Sequence, residues 1–242
     1  MTCSEKPTAR THLHHEYRGR KGSFDLKADR LHKGFGGCFI VLDGPDGCGK
    51  SSQSRMLTDW LQGQGVAVVG FRDPGTTVIG EKIREILLSP AHEAMTTSTE
   101  VLLYMAARVQ LWSESIGPAL REGKCVVMDR WLSSTCAYQG HAGGFGVKKV
   151  LAVAEVSLER IWPDLTIILD VDLKTAAQRL NRELDRMERK GDDYHSRVRE
   201  GFLKLAEGRP GFTVVDATAD LETVHEGVLA AVQGMLAKGR GL

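Results

Sequence analysis

Long apolar runs, paired cysteines and a large net charge are all missing from this chain of 242 residues. No apolar run approaches the ~20 residues that a membrane-spanning helix needs, and no apolar signal-peptide core follows Met1. The five cysteines show no C-x-x-C spacing, which argues against structural zinc and favours reduced thiols. The formal net charge is only +1. We therefore expect a soluble cytoplasmic protein without a membrane partner.

The charge that is present is distributed unevenly along the chain. Residues 1–37 contain eight Lys and Arg against four Asp and Glu, hold four of the eight histidines, and show no hydrophobic periodicity. This pattern predicts a basic, His-rich and flexible extension, followed by a single domain over residues 38–242. A basic arm that touches an anionic partner, a mis-assigned start, and metal binding by His12, His14 and His15 are the alternatives. A nucleic-acid partner would rest on this segment alone.

One motif organises the rest of the chain. Residues 44–51 read GPDGCGKS and fit G-x-x-x-x-G-K-[ST] at every fixed position, between an apolar run at 38–42 and a helical pattern over residues 53–61. Glycines at this spacing let several backbone N–H groups point at one anion, and the helix N-terminus adds its positive dipole. Lys50 would reach the β and γ phosphates, and the Ser51 hydroxyl would hold Mg²⁺. The motif predicts a phosphate-binding loop.

Strand-like and helix-like segments alternate after the motif. Strands are predicted at 38–42, 66–71, 125–128, 165–169 and 212–215, and helices at about 53–63, 80–88, 100–116, 147–158, 173–207 and 221–236. We expect Gly117-Pro118 to interrupt the third helix, residues 140–146 to form a loop, and the fifth helix to break near residue 191. Crossovers of this length predict an α/β fold with a five-stranded parallel sheet between two helical layers, and ligands at the carboxyl ends of the strands.

Two pairs of residues suggest which ligands bind beside the phosphate loop. Asp129 at the end of the third strand could order Mg²⁺ or its waters, and Arg130 could bridge two phosphates. Tyr104 and Arg108 are four residues apart on one helix face, so the ring could stack on a base while the guanidinium bonds its edge. Taken alone, a solvated strand end and a core tyrosine beside a salt-bridged arginine fit these residues at least as well.

The motifs together resemble the thymidylate kinase family of P-loop nucleoside monophosphate kinases. The similarity runs over about residues 38–220 through GPDGCGKSS, RDPGTTVIGEKIREILL, TEVLLYMAARVQL, DRW, SSTCAYQG, PDLTIILDVD and LDRME, in that order. It implies a three-layer α/β/α P-loop NTPase fold with a helical lid at about 174–199. It also implies transfer of a phosphoryl group from ATP to dTMP with Mg²⁺, giving ADP and dTDP for dTTP synthesis, and assembly as a homodimer.

The resemblance also implies roles for individual residues. ATP would be bound by Gly44, Pro45, Asp46, Gly47, Cys48, Gly49, Lys50, Ser51, Ser52 and Arg179. dTMP would be bound by Asp46, Asp73, Arg84, Tyr104, Arg108, Arg130, Ser134, Thr135, Tyr138 and Gln139. The catalytic residues would be Asp46, Lys50, Arg130 and Arg186. Mg²⁺ would be held, directly or through water, by Ser51 and Asp129.

Within this set, Tyr104 would stack on thymine, Arg108 would bond its edge, and Tyr138 would crowd the 2′ position of the sugar. Gly47 stands where other members of the family carry an arginine in the phosphate loop. The catalytic arginine would then come from the lid, with Arg186 the first candidate and Arg179 the second. Closure of that lid would expel water from the phosphates.

Several residues depart from the family pattern. Tyr104 stands in place of the usual phenylalanine, Thr76 in place of a glycine, and Trp131 in place of a tyrosine or histidine, so acceptor specificity is less well defined than the reaction. A broader deoxynucleoside monophosphate kinase and a non-catalytic nucleotide-binding regulator are the alternative functions. A further hypothesis concerns Cys48, whose pKa a helix N-terminus could lower, making the thiol oxidisable.

Overall fold

A computed structural model describes residues 34–180 and 183–238 of the chain. Residues 1–33 of the predicted extension at 1–37, including Cys3 and the three histidines, lie outside these residues, as do positions 181 and 182 of the predicted lid. The last residues of the extension are described, and Phe35 is buried in the core. The described part contains a single parallel sheet in the order β2-β3-β1-β4-β5. Its strands are β1 Phe39–Asp43, β2 Val68–Arg72, β3 Cys125–Asp129, β4 Leu165–Asp170 and β5 Phe212–Asp216. The predicted α/β fold is confirmed.

The core explains why the strands read as continuous apolar runs. Every residue of β1 and β3 is buried, because the two strands pair in the middle of the sheet and helices cover both faces. Ile40 and Leu42 face one helical layer, whereas Phe39 and Val41 face the other. Cys38 and Cys125 are buried beside Ile40, as expected for small apolar residues. The phosphate-loop motif therefore follows the central strand.

Nine α-helices lie around the sheet in the described part of the chain. They are α1 Lys50–Gly63, α2 Val78–Leu88, α3 Thr97–Leu111, α4 Gly117–Arg121, α5 Leu132–Thr135, α6 Val147–Ser157, α7 Leu173–Arg179, α8 Asp192–Ala206 and α9 Leu221–Ala237. Two π-helical segments, Trp112–Ile116 and Cys136–Ala142, continue α3 and α5. Short 3₁₀ turns lie at Pro90–His92 and Glu188–Lys190. None of the helices described is both long and apolar enough to cross a membrane.

The expected break at Gly117-Pro118 is wrong. The chain stays helical from Thr97 to Arg121 and widens into a π-helical turn at Trp112–Ile116, just before Pro118. Proline lacks the N–H of the helical ladder and its ring crowds the carbonyl one turn back, and a wider turn accommodates both defects without ending the helix. The proline therefore marks a local change of helical pitch.

The predicted loop at 140–146 is also wrong in its first part, because Gly140 to Ala142 belong to a π-helical segment. Gly140 serves close packing there, since a Cβ atom would lie 3.2 Å from the Cα of Val147. The predicted helix at 173–207 breaks near residue 191 as expected, since α8 begins at Asp192, but residues 183–187, between α7 and α8, are not helical either. In that interval Asp185 accepts backbone N–H groups of Met187 and Glu188, which replaces helical hydrogen bonds with a side-chain turn.

Candidate active site

A cleft of about 830 Å³ opens at the carboxyl ends of the strands. The phosphate loop lies on one side, and α3 and the segment after β3 lie on the other. Most predicted site residues line it: Asp46, Gly47, Cys48, Gly49, Lys50, Ser51, Ser52, Asp73, Arg84, Tyr104, Arg108, Asp129, Arg130, Ser134, Thr135, Tyr138, Gln139 and Arg179. Gly44, Pro45 and Arg186 are not among the lining residues. The structure thus brings together residues that the sequence scatters over 134 positions, from 46 to 179.

The shape of the phosphate loop requires glycine. Gly44 has a φ of 140° and Gly47 one of 79°, and a Cβ atom at either position would lie 2.4 Å from a backbone oxygen. The loop curls so that Lys50, the first residue of α1, donates from Nζ to the carbonyls of Gly44 at 3.0 Å and Pro45 at 2.7 Å. Gly44 and Pro45 thus act by holding the lysine. The N-terminus of α1 points into the cleft, where its dipole favours an anion.

The Ser51 hydroxyl donates to Oδ2 of Asp129 at 2.5 Å, beside Lys50. A hydroxyl and a carboxylate are the oxygen ligands that Mg²⁺ prefers, and Mg²⁺ retains several waters or phosphate oxygens in protein sites. No group of three side chains able to hold a metal occurs among residues 34–180 and 183–238. The pair therefore fits a magnesium ion that takes its remaining ligands from nucleotide phosphates and water.

A charged cluster joins the two sides of the cleft. Arg130 has a left-handed backbone (φ 73°), which turns its guanidinium back toward the phosphate loop to pair with Asp46. Burial opposes the ionised form of Asp46, but Arg130 and Lys50 outweigh it and lower the pKa of Asp46 to about 2. Tyr138 donates to the same carboxylate at 2.7 Å. The pKa of Tyr138 is raised by burial and by the negative charge of Asp46.

The far side of the cleft contains a buried ion pair. Arg108 donates from Nε to Oδ2 of Asp73 at 2.7 Å, and from Nη2 to the Trp131 carbonyl and the Thr135 hydroxyl. Each member of the pair is 1% exposed. Among the described residues, neither Nη1 of Arg108 nor Oδ1 of Asp73 has a hydrogen-bond partner. Buried polar atoms without partners are rare, and both residues line the cleft, so this ion pair is a candidate for a ligand that completes its hydrogen bonding.

Three arginines make the neighbouring pocket cationic. Arg84, on α2, donates to the carbonyl of Pro74 at 3.0 Å and lines the cleft beside Arg72 and Arg130. Burial lowers the pKa of Arg84, and the positive charges of Arg72 and Arg130 lower it further. Three positive charges that repel one another around one part of the cleft indicate a site suited to an anion.

The two lid arginines differ in position. Arg179, the last residue of α7, lines the cleft and donates to the carbonyls of Ala217, Thr218 and Ala219. Arg186 is 5% exposed and donates to Glu100 at 2.7 Å and to the carbonyl of Leu87 at 2.7 Å. The arginine that we expected first at the phosphates is thus engaged behind the pocket.

Three residues near the site were not predicted. Asp43 ends β1, is fully buried, and accepts hydrogen bonds from Ser133 and Ser134 at 2.6 Å. Gln53, on α1, donates to the carbonyl of Leu221 at 2.8 Å and so ties α1 to the start of α9. Glu100 accepts from residues of two distant segments. A carboxylate at the end of an otherwise apolar strand was a signal for Asp43, whereas nothing local marked Glu100.

The hypothesis of an acidified Cys48 is wrong. Its thiol is 1% exposed, and burial raises its pKa more than the nearby Lys50 lowers it. A raised pKa leaves the thiol protonated, which makes it a poor nucleophile. Cys48 instead packs inside the loop, next to Ala176 and Val171 in the core.

Comparison with known proteins gives one answer. The chain matches the family described as Thymidylate kinase over residues 42–228. It is 42% identical to "Thymidylate kinase" of Thermoanaerobacter sp. (strain X514) over 202 residues, which covers 83% of this chain and 99% of that protein. It is 43% identical to "Thymidylate kinase" of Symbiobacterium thermophilum, covering 82% and 94%. The crystal structure of thymidylate kinase from Ehrlichia chaffeensis aligns with a TM-score of 0.66 at 30% identity, over 81% of this chain and 98% of that one.

Proposed function

We infer that this chain, which belongs to the thymidylate kinase family, transfers a phosphoryl group from ATP to dTMP and yields ADP and dTDP. One structural observation supports this inference independently of the sequence similarity. The cleft joins a phosphate loop to a buried pocket with a free donor on Arg108 and a free acceptor on Asp73, and the Asp46–Arg130 pair lies between them. Phosphoryl transfer needs mainly this positioning and charge neutralisation, without a covalent nucleophile.

On the donor side, we propose that the backbone of residues 44–52 and the Lys50 ammonium hold the phosphates of ATP. Ser51 and Asp129 would hold Mg²⁺, which on binding neutralises charge on the β and γ oxygens. Between the lid arginines, the proposal puts Arg179 ahead of Arg186. Its support is position, since Arg179 lines the cleft whereas Arg186 is paired with Glu100.

On the acceptor side, we propose that Tyr104 stacks on the base and that Nη1 of Arg108 donates to a carbonyl of its edge. Asp73 holds the guanidinium in place for this contact. Ser134, Thr135 and Gln139 complete the pocket, and Tyr138 crowds the sugar. Arg84 and Arg130 would bind the acceptor phosphate, because their guanidinium groups give this part of the cleft its positive charge.

The Asp46–Arg130 pair would act at the point of transfer. Arg130, close to both Asp46 and Asp43, is held where charge develops on the transferring group. Asp46, ionised throughout the physiological range, fixes the guanidinium and faces the acceptor sugar and phosphate.

Assembly and location stay predictions. Apolar side chains stand exposed on α2 and α3, among them Val78 at 82% and Leu102 at 61%, and we propose that they face a second copy in a homodimer. A cytoplasmic location is proposed because dTTP precursors are made there. The single domain at 38–242 is proposed on the strength of one continuous sheet.

ADP release from ATP and Mg²⁺, measured with each nucleoside monophosphate in turn, tests the function. Turnover with dTMP well above dUMP, dCMP and dGMP is expected, and comparable turnover with several acceptors would favour the broader kinase. Lys50→Met should lower kcat by about 10²- to 10³-fold because a charge at the phosphates is lost. Lys82→Met, which removes only an exposed pair with Glu85, is the matched control. Tight ATP binding without turnover would favour the regulator.

A further inference from the structure

Glu100, near the start of α3, is a buried carboxylate with three donors around it. Its Oε2 accepts from Nε2 of Gln139 at 2.9 Å, and its Oε1 accepts from Arg186 at 2.7 Å and Lys190 at 2.9 Å. The residue is 1% exposed. Burial raises its pKa, but hydrogen bonds from Lys190, Arg186 and Gln139 outweigh burial and lower it. Glu100 is therefore ionised at neutral pH.

The charge on Glu100 decides which way the Gln139 amide points. An ionised carboxylate accepts hydrogen bonds and donates none, so the amide must present its NH₂ group to Glu100. The amide oxygen then points away from Glu100. Gln139 is itself 1% exposed and lines the cleft, so this oxygen is presented as an acceptor on the pocket side. Without Glu100, a glutamine in this place could present either end.

The same helix supplies the rest of the pocket. Glu100, Tyr104 and Arg108 follow one another at four-residue steps and so lie on one face of α3. The face carries, in order, the carboxylate that sets Gln139, the ring proposed to stack, and the guanidinium with its free Nη1. The pocket thus offers an acceptor from Gln139 and a donor from Arg108.

We propose that Glu100 is a positioning residue that makes the site select a base whose ring N–H lies beside a carbonyl. The inference rests on the proposed function and deepens it. Thymine and uracil present such an N3–H beside a carbonyl oxygen, whereas cytosine presents a bare ring nitrogen beside an amino group. The Gln139 amide oxygen can accept the N3–H of thymine or uracil. Opposite cytosine the same oxygen finds no ring N–H and stays a buried acceptor without a donor.

Glu100 also holds the base of the lid through Arg186 and Lys190. Replacing it could therefore lower activity for structural reasons alone. Such a loss would fall equally on every acceptor, so total activity cannot test the proposal. The ratio of kcat/KM between two acceptors that differ in this edge of the base can.

The test compares dTMP with 5-methyl-dCMP, which keeps the sugar, the phosphate and the 5-methyl group but presents a bare N3 beside an amino group. In the wild-type enzyme kcat/KM should fall about 10- to 100-fold for this analogue, because the amide oxygen loses its donor in a buried place. In Glu100→Gln the two facing amides pair in either direction, so Gln139 can turn and donate to the bare N3. The ratio between the two acceptors should then narrow by about tenfold.

Glu93→Gln, on an exposed glutamate nearby, should keep the wild-type ratio. If Glu100→Gln does not fold, Glu100→Asp replaces it, since aspartate keeps the negative charge of the site while its shorter side chain draws the carboxylate away from Gln139. It should show the same narrowed ratio. An unchanged ratio in the folded variant, or no penalty for the analogue in the wild type, would overturn the proposal. Absence of dTMP turnover in the wild type would instead overturn the proposed function.

Discussion

The phosphate loop takes its shape from hydrogen bonds between neighbouring residues, whereas the base-pocket side of the cleft is built from buried charges that distant segments bring together. Lys50 bonds to carbonyls only five and six positions before it. Arg108 and Asp73 are 35 positions apart, and Arg186 and Glu100 are 86 apart. A loop of local hydrogen bonds follows from its own sequence. A pocket of buried ion pairs exists only once the whole domain has folded, and it is correspondingly vulnerable to loss of one partner.

The largest expected effect tests that vulnerability. Arg108→Met leaves Asp73 as a buried charge without its partner, which should lower the free energy of unfolding by about 3–5 kcal/mol. Arg72→Met, next to Asp73 in sequence, breaks a pair with Glu81 in which the side chains are 46% and 43% exposed. It should cost at most about 1 kcal/mol. Urea denaturation of the three proteins measures both values.

A double variant serves as the control. Arg108→Met with Asp73→Asn removes both charges, and so should recover part of the stability lost in Arg108→Met alone. Equal losses from Arg108→Met and Arg72→Met would show that the base-pocket side does not depend on its buried charge. The comparison between the two sides would then be wrong.

The predictions from the sequence were correct where a feature depends on neighbouring residues, and wrong where it depends on distant contacts. The phosphate loop, the five strands and helix α1 were predicted because each depends on a local pattern of glycines or of apolar residues. The break at Pro118 was wrong, and the loop at 140–146 was wrong in its first part, because the chain forms π-helical segments at Trp112–Ile116 and Cys136–Ala142. Gly140 looked like a turn residue, yet its lack of a side chain serves contact with Val147.

The lid shows most clearly what the sequence alone does not determine. The charge run from α7 to α8 does not reveal which arginine reaches the cleft, since that depends on Arg186 finding Glu100 and on Arg179 finding the carbonyls of 217–219. Glu100 itself sits among residues that form an ordinary helix face. Its importance comes from contacts 39 and 86 positions away.

A smaller effect concerns Asp46, which joins the two sides. Its folded pKa of about 2 lies below the usual 3.8, so ionisation stabilises the fold above about pH 4. This contribution, about 2 kcal/mol, is lost as the pH falls from about 4 toward about 2. Asp46→Asn lacks it, so the stability gap between wild type and variant should shrink over that interval in urea titrations. A gap that stays constant with pH would show that the Asp46 charge gains nothing from Arg130.

The smallest effect compares two tyrosine hydroxyls in the cleft. Tyr138 donates to Asp46 at 2.7 Å, and a hydrogen bond to a buried charge is worth enough for Tyr138→Phe to lower kcat/KM for dTMP by about tenfold. Tyr104 has no hydroxyl hydrogen bond within the described residues, so Tyr104→Phe keeps the ring for stacking and should change kcat/KM by at most about twofold. Steady-state kinetics of both variants decides the matter. A large loss of kcat/KM in Tyr104→Phe would mean that the Tyr104 hydroxyl donates or accepts a hydrogen bond with the bound nucleotide. The base pocket would then recognise its ligand through one more polar group than Arg108, Gln139 and their partners supply.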